Sequence, residues 1–230
     1  MIAIVLAGGL GTRLRPVTGD LIPKALVPVQ GKPFLHWQLN YLKKQGIKKI
    51  ILAVSFHAGQ VIEYFGTDFQ GLPLEYSVEK KALGTGGATK RAMTLTGNKP
   101  VFVCNGDTWF KVNLEKMRQK HRLAGHAVTL ALKKMNRFDR YGSVSLGSKD
   151  RIVHFEEKKW LETGYINGGI YYFNPGLLRD YPPDTAFSLE KDFFEKMVKE
   201  IKIGGYRSPA SFIDIGIPED YRKIQSLDLR

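Results

Sequence analysis

The 230-residue sequence contains one cysteine, Cys104. A disulfide framework within the chain is therefore excluded, and a reducing, cytoplasmic setting is expected. Long apolar runs are missing too. The longest uncharged stretches, such as Ile50 to Val54, fall far short of the roughly 18 residues that cross a bilayer, so no membrane partner is expected. The apolar start, Met1 to Ala7, has no basic region ahead of it and leads straight into glycines, so it reads as a strand rather than a signal peptide. Acidic residues are scarce, with 22 Asp and Glu against 35 Lys and Arg, a formal charge of +13. The lysines come in pairs (Lys43-Lys44, Lys48-Lys49, Lys133-Lys134) and not in runs. No helix-turn-helix, zinc module or RNA-binding sheet signature accompanies them, and no nucleic-acid partner is expected. The charge fits a lysine-rich surface or phosphorylated small substrates equally well.

At 43% hydrophobic and 25% charged residues, the composition is that of an ordinary globular chain long enough for a sizeable core. Strands and helices alternate. Ile2 to Leu6 reads as a buried strand ending at Gly8-Gly9, and Phe34 to Gln45 as a helix stopped by Gly46. Lys49 to Val54, Leu74 to Val78, Pro100 to Cys104 and Ala127 to Leu132 read as further strands. Helices are expected at Gln60 to Phe65, Gly87 to Leu95 and Leu114 to Leu123. This βαβα order predicts an α/β fold, a mixed, mostly parallel central sheet flanked by helices. From Tyr141 the rhythm shifts to short strands (Gly142 to Leu146, Ile152 to Glu156, Gly168 to Phe173), then helices at Glu190 to Glu200 and Pro218 to Leu227. A single domain, 1–230, is expected.

The first strand runs into Gly8-Gly9-Leu10-Gly11-Thr12-Arg13-Leu14-Arg15-Pro16. Glycines there let backbone N–H groups approach an anion, and an arginine can grip phosphate oxygens in bidentate fashion. No Gly-Lys-Ser/Thr closes the loop, so it is not a Walker A site, and Leu14 stands where a dinucleotide fold has its third glycine.

That loop, with Pro16, Thr18 and Pro23-Lys24-Ala25-Leu26, resembles the signature of the sugar-1-phosphate nucleotidyltransferases. The likeness continues through Gly84-Thr85-Gly86, Asn105-Gly106-Asp107, Glu157-Lys158, Asn167-Gly168-Gly169 and Asp214-Ile215-Gly216-Ile217-Pro218. It covers essentially the whole chain and is greatest to the D-glycero-D-manno-heptose 1-phosphate guanylyltransferases. It implies a Rossmann-like nucleotidyltransferase fold, with nucleotide bound by about 1–135 and sugar phosphate by about 136–230. The implied reaction joins a sugar 1-phosphate to the α-phosphorus of a nucleoside triphosphate. Such chemistry needs cations to gather two polyanions, more than it needs a base.

By this resemblance Arg13 and Lys24 are the catalytic cations, on the β,γ- and α-phosphates respectively. Leu6, Ala7, Gly8, Gly9, Gly11, Thr12, Arg13, Glu79, Gly84 and Thr85 bind the nucleotide. Asp107, at the carboxyl end of an apolar strand, and Asp214 are implied to hold Mg²⁺, the one cofactor expected. Gly142 leaves room for the sugar ring, while Glu157, Lys158 and Asn167 take the sugar and its phosphate. The family commonly has a proline after this lysine, where this chain has Lys159.

Glu79 stands about where uridylyl- and thymidylyl-transferases often place glutamine. An ionised carboxylate only accepts hydrogen bonds. Guanine offers two adjacent donors, so Glu79 leans toward GTP over UTP or dTTP. Nothing in the sequence measures a seven-carbon sugar, and mannose, glucose or N-acetylated amino sugar 1-phosphates remain alternatives. A silent regulatory subunit of this fold would have lost Arg13, Lys24 or an aspartate, and all are present. No C-terminal β-helix is expected after Tyr221, and assembly into a homo-oligomer stays open.

Overall fold

The computed structural model describes residues 1–9, 11–14, 16, 19 and 22–229, with Thr12 described by its backbone alone. The first eight strands are β1 (Ile2–Leu6), β2 (Pro28–Val29), β3 (Lys32–Pro33), β4 (Lys49–Val54), β5 (Asp68–Phe69), β6 (Leu72–Val78), β7 (Val101–Asn105) and β8 (Thr108–Phe110). They are followed by β9 (Val128–Phe138), β10 (Ser143–Leu146), β11 (Ile152–Glu156), β12 (Leu161–Phe173), β13 (Ile203–Arg207) and β14 (Phe212–Asp214).

The middle of the sheet is parallel, in the order β7-β1-β4-β6, with Ile4 opposite Ile51 on one side and Val103 on the other. β7, β1 and β4 are apolar on both faces because both faces are covered, whereas β6 alternates buried Leu72 and Leu74 with exposed Pro73 and Glu75. Ala3 and Val5 of β1 pack with Leu35, Leu39 and Leu42 of helix Phe34–Lys44 and with Val61 and Phe65 of helix Ala58–Phe65. Ile4 points the other way, toward Ala88 and Ala92 of helix Gly84–Met93 and the aromatic pair Phe193-Phe194. Parallel strands share one carboxyl edge, and the loops after β1, β4, β6 and β7 all emerge there. The functional cleft forms along that edge.

Beyond β7 the sheet turns antiparallel through β12, whose amino-terminal half pairs with β10 and whose carboxyl-terminal half pairs with β7. The switch happens at an irregularity between Asn167 and Tyr171, where Gly169 has φ +70°. A side chain there would stand 2.8 Å from the Asn105 amide. β9 accompanies β12 along its whole length, so it extends to Phe138 and outruns the strand expected at Ala127 to Leu132. The helix expected at Glu190 to Glu200 is a π-helical turn, Leu189–Phe194, leading into the α-helical turn Glu195–Met197. Its wide turn lets the consecutive Phe193 and Phe194 both enter the core, and Ser188 caps it by accepting from the Glu190 and Lys191 N–H groups.

Behind β9 lies a buried polar knot. His121 and His126 each place Nδ1 against the Thr129 hydroxyl, at 2.9 and 3.2 Å, and His121 Nε2 meets Asn174 Oδ1 at 3.0 Å. Gly204 of β13 is pressed so close that a Cβ would stand 1.9 Å from the His126 ring. Burial, followed by the charges of His121, Lys120, Lys202 and Arg151, holds His126 down to about 4 from its ordinary 6.5. Between those two values the unfolded chain binds a proton that the folded chain refuses, so stability falls as pH drops through that window. Urea midpoints should therefore decline from pH 6.5 toward pH 4, and His126→Asn should flatten that part of the curve. A variant whose profile kept the wild-type slope would place the titration elsewhere.

Candidate active site

The cleft on the carboxyl edge has a volume of about 390 Å³. Its floor is Leu6 and the glycine loop (Gly8, Gly9, Gly11), and its walls are Ala53 at the end of β4 and Ser55 just after it, Glu79 and Ala82 after β6, and Gly84, Thr85 and Ala88 at the head of a helix. Asn105, Gly106 and Asp107 close the end nearest β12. Gly8 lies flush with Ser55, 3.0 Å from where its own Cβ would be, and this keeps the loop backbone low enough to leave the cleft open. Ala7 is buried behind the loop and gives its N–H to Ala53 O at 2.8 Å. The Thr12 side chain, like Leu10, Arg15 and Thr18 of the same motif, lies outside the described residues.

At one end of this cleft the charged groups converge. Lys24 is buried on a single 3₁₀ turn, Lys24–Leu26. Its ammonium lies 2.6 Å from Asp107 Oδ2 and 4.0 Å from Asp214 Oδ1. The two aspartates are neighbours because β8 and β14 pair antiparallel, with Asp214 opposite Thr108 and the Ile215 N–H donated to Asp107 O at 2.9 Å. Gly216 sits in the middle. A Cβ there would stand 2.9 Å from Asp214 Oδ1 and 3.3 Å from both Arg13 Nη2 and Lys24 Nζ.

The electrostatics are lopsided. Burial raises both carboxyls, but at Asp107 the Lys24 ammonium overrides it and holds that group below the ordinary carboxylate range. Asp214 is pushed up to about 6 by burial and by the Asp107 charge, against the pull of Lys24, the Gly216 N–H and Arg13. Two carboxylates around one cation form an oxygen-only seat, which suits Mg²⁺. Among the described residues no larger His, Cys, Asp or Glu cluster exists, so phosphate oxygens and water would complete the shell.

Glu79 does not face solvent. It is buried at the cleft wall, and its Oε2 accepts from the Leu83 N–H at 3.0 Å, so one lobe ties the 79–83 loop. Burial raises its pKa, and the Leu83 N–H and Arg91 pull it back. Gly84 and Thr85 border the cleft but also serve packing. Chain segment 185–190 crosses here, with Phe187 N–H donated to Leu83 O and Gly86 N–H to Phe187 O. A Cβ at Gly86 would stand 2.2 Å from the Phe187 ring. The Thr85 hydroxyl donates to Glu190 Oε2 at 2.7 Å and accepts from the Leu189 N–H.

The second group of expected residues also assembles. Asn167 N–H bonds Gly142 O at 2.8 Å, and a Cβ at Gly142 would meet the Glu157 carboxylate at 2.8 Å and the Phe155 ring at 3.0 Å. Glu157 is raised by burial, then by Glu190 and Glu195. Lys158 lies 3.8 Å from Glu157, with its side chain largely in solvent. Asn167 bonds the Tyr171 hydroxyl, which in turn donates to Glu190 Oε1 at 3.3 Å. Glu190 therefore bonds Thr85 directly and reaches Asn167 through Tyr171, and the sequence reading missed it. Ser55 was missed as well, although its place at the end of an apolar strand, like that of Asp107, was a usable signal.

A loop of glycines, two convergent cations and a two-carboxylate seat at the carboxyl edge of an α/β sheet define a phosphoryl-transfer enzyme of the nucleotide-binding class. The family model for nucleotidyl transferases matches residues 2–230, and the chain belongs to that family. It is 45% identical over 225 residues to D-glycero-alpha-D-manno-heptose 1-phosphate guanylyltransferase of Aneurinibacillus thermoaerophilus, covering 98% of this chain and 97% of that one. The enzyme of the same name from Campylobacter jejuni is 45% identical over 221 residues, 96% of this chain and 97% of that one. Among solved structures, HddC from Yersinia pseudotuberculosis complexed with GMP-PN superposes with a TM-score of 0.86 at 36% identity, covering 97% of each chain. No helix among the described residues is long and apolar enough to cross a membrane.

The Gly142 geometry makes a prediction. Gly142→Ala should force its methyl against Glu157 and raise KM for the sugar substrate about tenfold or more, with KM for the nucleotide nearly unchanged. Steady-state kinetics varying each substrate in turn will separate the two, and equal effects on both would detach Gly142 from the sugar side.

Proposed function

We propose that this chain transfers a guanylyl group from GTP to D-glycero-α-D-manno-heptose 1-phosphate, releasing pyrophosphate and forming the GDP-sugar. The reaction class rests on the convergence of Arg13, Lys24, Asp107 and Asp214 around Gly216. The substrate pair is supported by the likeness, over nearly the full length, to two enzymes named for that reaction.

The glycine loop and Arg13 hold the β- and γ-phosphates, and Glu79 accepts from the guanine edge with the carboxylate lobe not spent on Leu83. The part of the chain up to about residue 135 carries the nucleotide. The part from about 136 carries the sugar phosphate, with Glu157 and Asn167 on hydroxyls and Lys158 on the phosphate. Mg²⁺ held by Asp107 and Asp214 would supply positive charge to the phosphate oxygens. Lys24, already among these carboxylates, lies where it can turn to the α-phosphate. The sugar-phosphate oxygen forms the new bond to the α-phosphorus. The bond from that phosphorus to the bridging oxygen breaks, and its electron pair leaves with pyrophosphate. No base has to act, because a phosphate monoester with a second pKa of about 6 is largely dianionic at neutral pH. Binding two polyanions side by side is the main cost, which the cations offset. A cytoplasmic enzyme with small-molecule substrates fits this chemistry.

Pyrophosphate release should be measured with the four common NTPs and dTTP against heptose, mannose, glucose and N-acetylglucosamine 1-phosphates. Turnover is expected with GTP and the manno-heptose phosphate. A preference for mannose 1-phosphate would keep the chemistry and move the substrate. In the same assay Glu79→Gln, which can still accept from the Leu83 N–H, should relax the GTP preference toward UTP or dTTP about tenfold. An unchanged base profile would remove Glu79 from base selection.

A further inference from the structure

The segment Asn105-Gly106-Asp107-Thr108 joins β7 to β8 and presents the Asp107 carboxylate to Lys24. Its backbone is tied at each residue. The Gly106 N–H donates to Leu6 O at 3.0 Å, and the Ile215 N–H donates to Asp107 O at 2.9 Å. The two flanking carbonyls are held by one side chain from another layer. Gln38, on helix Phe34–Lys44 and 5% exposed, donates from Nε2 to Asn105 O at 2.9 Å and to Thr108 O at 2.7 Å. A carboxamide NH₂ carries two hydrogens on one atom, and both are used here.

We propose that Gln38 is a positioning residue for the transfer reaction, fixing the turn on both sides of Asp107 so that its carboxylate meets Lys24 and Asp214. Gln38 is not part of the cleft wall. It acts through main-chain carbonyls, from 67 and 70 residues away in sequence. On the opposite side the turn lies so close to β1 that a Cβ at Gly106 would stand 2.4 Å from Leu6 O. With the amide removed, two carbonyls lose their donors and the turn can relax. A displacement of about 1 Å at a reacting centre costs on the order of a hundredfold in rate. The inference rests on reading Asp107 as a metal ligand.

The test compares Gln38→Met, which matches the volume without donors, and Gln38→His, which keeps one ring N–H. Mn²⁺ binding would be followed by electron paramagnetic resonance in the presence of GTP and absence of sugar phosphate, with kcat, KM and metal-free GTP binding alongside. Gln38→Met should weaken Mn²⁺ binding about tenfold and lower kcat ten- to hundredfold, with metal-free GTP affinity within about twofold. Gln38→His should fall between it and the wild type. If Gln38→Met does not fold, Gln38→His is read alone against the same measures. Unchanged Mn²⁺ affinity and kcat in a folded variant would overturn the proposal, as would an equal loss of metal-free GTP binding. Asp107→Asn is the control. If it abolishes Mn²⁺ binding while the Gln38 variants do nothing, the positioning role alone fails. If it binds Mn²⁺ like the wild type, the ligand reading fails and the inference goes with it.

Discussion

One ammonium group organises this site. Lys24 is buried between two carboxylates drawn from segments more than a hundred residues apart, and without it their proximity would carry a like-charge penalty. The opposite pKa shifts of the pair follow from its placement: Asp107 takes the short contact, and Asp214 is left with burial and its neighbour's charge. The glycine at 216 is needed because three charged side chains crowd the space its own side chain would fill. The antiparallel pairing of β8 with β14 and the tight turn after β7 both serve to bring these groups to one point.

The sheet changes strand direction beyond β7. Parallel strands aim their loops at one edge, which suits a phosphate cradle. The antiparallel extension, reached through the Asn167–Tyr171 irregularity, holds Gly142 next to Asn167 and the Glu157 carboxylate. Glu190 stands at the junction, bonded to Thr85 on one side and to Tyr171 on the other.

Much of the site was legible in the sequence because its chemistry is unusual there. Glycines followed by Arg13, a lysine between Pro23 and Ala25, and aspartates ending apolar strands are hard to explain by packing, and the structure brings them together. The strands β1 and β4 were legible because burial on both faces leaves a continuous apolar run, and the helix ending before Gly46 because burial on one face leaves a period. The rest depended on contacts without a local signature. Gln38 looks like any polar residue on an amphipathic helix, and Glu190 sits in an ordinary charged run. Gly84 and Thr85 entered as nucleotide-binding residues by resemblance, yet the missing side chains of Gly84 and Gly86 also make the slot that receives Phe187. The π-helical turn followed from two adjacent phenylalanines that both had to be buried, a demand set by the tertiary core.

That slot has a mechanical consequence. Phe187 comes from the later part of the chain and is seated on helix Gly84–Met93 of the earlier part, while β9 runs unbroken from 128 to 138 between them. The two parts are stitched, not hinged. A chain cut near residue 135 would expose an aromatic plug on one fragment and an empty groove on the other, so neither piece could complete its core alone. Residues from both sides of position 135, Ile4 and Phe187 among them, share one buried apolar cluster.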